Sequence, residues 1–97
     1  MAVVVTIGLQ INPDRLDEFK QIMREILPDT RAFSGCISVE VLEHHDVAGG
    51  ITLFEEWESV EDQVNYINWR TETGMMETLG GFLEAEPVII YYDKLDV

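Results

Sequence analysis

At 97 residues the chain has room for one hydrophobic core, and residues 1–97 read as a single domain. Hydrophobic content of 46% and charged content of 26% are the proportions of a folded globular domain rather than a disordered one. Six lysines and arginines against 19 carboxylates give a net charge of −13, which phosphate backbones and anionic lipid surfaces repel, so neither nucleic acid nor membrane is an expected partner.

The chain opens with "VVVTIGLQI", a β-branched run that places Val3, Val5, Ile7, Leu9 and Ile11 on one strand face. Asn12, Pro13 and Asp14 stop this run short of a signal peptide, and no apolar stretch approaches the ~20 residues of a membrane span, so the expected location is cytoplasmic. The same three residues start a helix, as N-cap, first helical position and dipole-complementing acid. Leu16, Phe19, Met23, Ile26 and Leu27 follow at helical spacing, and the helix is expected to reach about Arg31, loosened near Pro28.

"FSGC" reads as a turn into a second strand, "CISVEVLEHH", with Ile37, Val39 and Val41 sharing a face. Cys36 is the one cysteine, with no His partner or basic cluster beside it in sequence, and reads as a structural thiol. "DVAGG" is a hairpin connection to the third strand, "ITLFEEWE", in which Glu55 lies on the face of Ile51, Leu53 and Trp57 and is expected at the strand's wet end. His44 and His45 fall at the hairpin end, where a solvent-exposed pair is the natural reading and no metal site is expected.

Ser59, with Asp62 three residues on, caps a second helix through Val64 to Trp69 that frays near Gly74. "MMETLGGFL" adds a short helical turn, and "PVIIYYDKL" is the last strand. The order is β-α-β-β-α-β, an α+β ferredoxin-like arrangement of four antiparallel strands with both helices on one face. The other face would carry Val4, Leu42, Phe54 and either Ile89 or Tyr91, an apolar surface expected to pair two chains into a homodimer.

The segment "VNYINWR" concentrates the side chains able to do chemistry. At ~100° per residue, Val60, Val64 and Ile67 form a stripe expected to face the sheet, while Asn65 and Trp69 adjoin each other off that stripe. An indole N–H and a carboxamide together can hold an oxyanion or the oxygens of a flat aromatic ligand, with Tyr66 and Arg70 adding a hydroxyl and a permanent charge. Packing at a dimer interface is the competing reading of the same residues. No Gly-rich phosphate loop, nucleophile elbow or Cys/His metal spacing accompanies them.

The segments "RAFSGCISVEV" and "FEEWESVEDQVNYINW", with Arg31, Gly35, Cys36, Glu55, Trp57, Ser59 and Glu61 at their key positions, resemble the antibiotic biosynthesis monooxygenase family of dimeric α/β-barrel proteins. The resemblance implies two ferredoxin-like chains packed sheet to sheet. It also implies a small phenolic, quinol or anthrone-like substrate oxidised by dioxygen with no flavin, haem or metal. In quinone-forming members an Asn and a Trp four apart on the second helix are implicated in holding the substrate's enolate, which makes Asn65 and Trp69 the catalytic candidates. Tyr66, Arg70 and Arg31 are then the substrate-binding candidates. Two departures stand out. Tyr66 occupies the position, nine after Trp57, where many members carry His, and the last strand lacks the arginine of quinone-forming members. The haem-degrading relatives' histidine is also missing from "TETGMMETLGGFL". A non-catalytic aromatic-ligand binder and an isomerase or cyclase are the alternative activities for the same scaffold.

Overall fold

The computed structural model describes residues 2–97. Its elements are β1 (Val3–Gln10), α1 (Leu16–Ala32), β2 (Cys36–Glu43), β3 (Gly50–Trp57), α2 (Val60–Glu72), α3 (Met75–Gly80) and β4 (Val88–Asp93). The four strands form one antiparallel sheet in the order β2-β3-β1-β4, the ferredoxin-like fold expected from the element order.

β1 lies inside the sheet and its alternation is faithful: Val3, Val5 and Ile7 are buried beneath the helices. A 3-10 turn over Pro13–Arg15, capped by the Asn12 carboxamide accepting from the Asp14 N–H, leads into α1. Phe19, Met23 and Leu27 of α1 close over Ile11, Val39, Ile51 and Phe82 in one core cluster, and Val3, Val5, Ile7, Trp57 and Tyr66 form a second under α2. The helix passes Pro28 and ends at Ala32; the proline is exposed, and its missing N–H costs one helical hydrogen bond.

Two strand faces differ from the sequence reading. The β2–β3 register shifts between Cys36 and Ser38, so Cys36, Val39 and Val41 share a face while Ile37 is pushed out into solvent. A bulge adds a residue to one strand, and strict alternation cannot anticipate it. On β4, Ile89 and Tyr91 pair with Ile7 and Val5 and therefore face the helices, so the outer face carries Ile90 and Tyr92 instead. With Leu42, Phe54 and Val88 these leave the outer sheet face apolar and exposed. No helix among the described residues is long and apolar enough to cross a membrane.

Candidate functional site

α2 is placed by two local devices. The Ser59 hydroxyl accepts the Asp62 N–H at 3.1 Å and donates to the Asp62 carboxylate at 2.9 Å, capping the first turn. Gly35, at φ +89°, passes so close to Asp62 that a Cβ there would overlap the Asp62 side chain, and its carbonyl accepts the Glu58 N–H at 2.8 Å. The loop before β2 is thereby pinned to the start of α2. Phe33 is held against Trp69, stacked with ring centroids 5.4 Å apart.

The inward face of α2 is Gln63, Tyr66 and Arg70; of the expected Val60–Val64–Ile67 stripe Ile67 packs against the core, while Val60 and Val64 are each 42% exposed. Tyr66 and Arg70 take the interior because α1 offers partners for their polar ends, whereas the Gln63 carbonyl oxygen accepts from the Tyr91 hydroxyl on β4 at 2.8 Å. The Tyr66 ring packs among Phe33, Trp57 and Trp69. Its hydroxyl lies 2.6 Å from Thr30 Oγ1 and accepts from Arg70 Nε at 2.8 Å. Arg70 Nη2 donates to the Ile26 carbonyl at 2.9 Å and to Thr30 Oγ1 at 3.1 Å. The Thr30 hydroxyl donates to the Ile26 carbonyl, so it is Tyr66 that donates to Thr30.

Arg70 is only 4% exposed, and every acceptor it meets is neutral. The ion pairs among the described residues, Arg15–Glu18, Lys20–Glu43 and Lys94–Glu56, leave it out. Its guanidinium carbon lies 4.3 Å from the Trp69 ring centroid, a cation–π contact. The result is a buried positive charge stabilised by dipoles and rings, with no carboxylate among the described residues paired to it.

Trp69 is half-buried and Asn65, one turn earlier, is exposed; neither the Trp69 indole N–H nor the Asn65 carboxamide bonds to another described residue. Four of the five residues singled out from sequence, Asn65, Tyr66, Trp69 and Arg70, thus gather on two turns of one helix. Tyr66 and Arg70 are tied to α1, while Asn65 and Trp69 keep free donors. Arg31 is set apart: its Nε and Nη2 donate to the Val39 carbonyl at 3.3 and 3.0 Å, and it lines a cleft between α1 and β2.

Glu55 is the residue the sequence reading misplaced. It is 2% exposed, between Val5 and Val39 in the sheet rather than at a wet strand end. The Trp57 indole donates to its Oε1 at 2.9 Å. Burial raises its pKa above the usual carboxylate value, opposed in part by that hydrogen bond. Burial also raises the pKa of the neighbouring Cys36 thiol, with the Glu55 charge adding to the rise and Arg31 opposing it. The available signal was Trp57, two residues on and on the same face, which carries the donor that lets a carboxyl be buried there. Thr30 was missed for the opposite reason: nothing local marks a threonine whose partners lie 36 and 40 residues away. No group of three or more His, Cys, Asp or Glu side chains among the described residues is placed to hold a metal ion.

The chain matches the family model described as antibiotic biosynthesis monooxygenase over residues 2–72. It belongs to that family. A conserved protein from Methanosarcina mazei shares 23% identity over 98% of this chain and 94% of its own, with a TM-score of 0.88. Rv0793 from Mycobacterium tuberculosis shares 22% identity over 100% of this chain and 98% of its own, with a TM-score of 0.85. A solved structure described as an antibiotic biosynthesis monooxygenase shares 17% identity, covers 98% of this chain and 99% of its own, and has a TM-score of 0.83. At these identities the solved structures establish the shared fold alone. No curated protein sequence matches the chain significantly.

Proposed function

We propose that this family member oxidises a small phenolic, quinol or anthrone-like aromatic with dioxygen, the substrate's own deprotonated form supplying the electrons. The observation that carries the reading is Arg70, a buried cation without a carboxylate, beside two unpaired donors on the same helix. The Trp69 N–H and the Asn65 carboxamide bind the developing oxyanion, with the Arg70 charge behind the Trp69 ring and the Tyr66 hydroxyl fixing the guanidinium. Such donors favour the substrate's anion over its neutral form, and so help the deprotonation that precedes attack on dioxygen. For an anthrone the balance is one ring CH2 plus O2 giving one ring C=O plus water, with both oxidising equivalents drawn from dioxygen. No resident cofactor is required by that balance.

The functional unit we propose is a homodimer joined through the outer sheet face, where Leu42, Phe54, Ile90 and Tyr92 lie exposed. An apolar face of this kind on a small domain associates in water.

Dioxygen consumption with an anthrone and hydroquinone panel, set against spontaneous autoxidation, tests the activity. Wild-type uptake should exceed background, and Trp69→Phe and Asn65→Ala should each slow it on the order of 10–10³-fold with the fold intact. Normal turnover by Trp69→Phe would remove that residue from the mechanism. Absence of wild-type uptake across the panel would turn the reading to a ligand-binding protein of the same fold.

A further inference from the structure

The described chain holds six lysines and arginines, and three of them, Lys20, Arg24 and Arg31, line one cleft of about 460 Å³. The cleft opens between α1 and β2 because β2 is an edge strand and α1 does not cover its outer part, leaving Val41 exposed. Its floor is apolar: Phe19, Met23 and Leu27 from α1, with Ile51 from β3. The volume is in the range of pockets that enclose a small organic molecule.

The rim carries Glu43 as its one acid, paired to Lys20 at 3.3 Å, so three positive charges less one negative leave a local excess of two. This stands against a chain of net charge −13. Arg31 is preorganised: Nε and Nη2 are fixed on the Val39 carbonyl, and Nη1 has no partner among the described residues. Arg24 spends one N–H on Gln21 and keeps the rest of its guanidinium free. Cations around an apolar floor suit a ligand with a charged end and a greasy body, since the anion gains charge-assisted hydrogen bonds and the body leaves water.

We propose that the α1–β2 cleft binds a small organic carboxylate, its hydrophobic body on Met23 and Leu27 and its carboxylate held by Arg24, Arg31 and Lys20. The site is separate from the α2 residues and does not depend on their role. The rest of the molecule repels anions at long range, so the discrimination comes from groups within a few ångströms of the carboxylate and is weakened by salt.

Calorimetric titration with 1-naphthoate and with 1-naphthalenemethanol, its neutral counterpart of similar ring size, tests the proposal. Naphthoate should bind one per chain at least tenfold more tightly than the alcohol, and should shift the Met23 methyl resonance. Arg24→Gln changes an exposed side chain and Lys20→Gln a half-buried one, and melting curves verify their folding. Each should weaken naphthoate about tenfold, whereas Lys94→Gln, the same charge change elsewhere, and Trp69→Phe should not. Equal affinity for the alcohol, an unmoved Met23 methyl, no effect of the two rim variants, loss of binding in Trp69→Phe, or no naphthoate binding at millimolar concentration would each overturn it.

Discussion

Tyr66→Phe isolates the energetic role of the buried hydroxyl network. The phenylalanine ring keeps the contacts with Phe33, Trp57 and Trp69, so almost no apolar burial is lost. What disappears is the hydroxyl that accepts from Arg70 Nε at 2.8 Å and donates to Thr30 at 2.6 Å. Thr30 Oγ1 still receives Arg70 Nη2 at 3.1 Å, but Arg70 Nε loses its one acceptor inside a residue 4% exposed. A buried hydrogen bond to a charged group is worth about 1.5–3 kcal/mol, so the expected loss is about 2 kcal/mol. With a urea slope near 2 kcal/mol/M that moves the unfolding midpoint down by about 1 M, and the melting temperature by about 8–16 °C. Urea titrations at one fixed protein concentration measure it, since association would otherwise shift the apparent stability. A change below about 0.5 kcal/mol with an unaltered slope would mean that Arg70 recruits water in place of the hydroxyl. The account of a dry, dipole-stabilised cation would then be wrong.

Glu55→Gln keeps an oxygen to accept the Trp57 N–H while removing the titration. Burial raises the folded-state pKa of Glu55, so its protonated form favours the native state below the unfolded pKa of about 4.3. That contribution is lost as pH rises through the folded value. The variant should therefore be more stable than wild type near pH 7–8, by a margin that closes as pH falls toward 4; a margin constant with pH would refute it. Gly35→Ala forces a side chain into a +89° φ and into Asp62, and should cost about 2 kcal/mol or more by urea unfolding. Retained stability would show that the loop has room to move off α2. Phe54→Glu puts a charge on the outer sheet face, and light scattering at micromolar concentration should find twice the chain mass for wild type and a single chain for the variant. Wild type running as a single chain would remove the proposed pairing.

The element order was readable because the segments leading into the two long helices carry their own chemistry, Asn12 before Pro13 and Ser59 before Asp62, and β1 alternates without interruption. Faces were less readable than elements. Val60 and Val64 outrank Tyr66 and Arg70 in hydropathy, yet the latter pair is buried because Thr30 and the Ile26 carbonyl satisfy it across 36 to 44 residues of sequence. Ile37 lost its place to a bulge, which depends on strand pairing rather than on local pattern. Glu55 stood out on its apolar face, but its burial was legible only with the Trp57 N–H taken as its partner. The grouping of Asn65, Tyr66, Trp69 and Arg70 followed from helical spacing, whereas the separation of Arg31 depended on how α1 lies against β2.

Because β4 pairs only with β1, the sheet joins the first strand of the chain to the last. Residues 3–57 already contain β1, α1, β2 and β3 and can pair three strands beneath a helix as they leave the ribosome. Roughly 30 residues separate Trp57 from Val88, which at 5–20 residues per second is a delay of seconds. Throughout that interval the second edge of β1, with Val3, Val5 and Ile7 along it, presents unpaired backbone groups to any extended segment nearby. Arrival of β4, the last of the four strands to be synthesised, closes that edge and ends its exposure to mispairing.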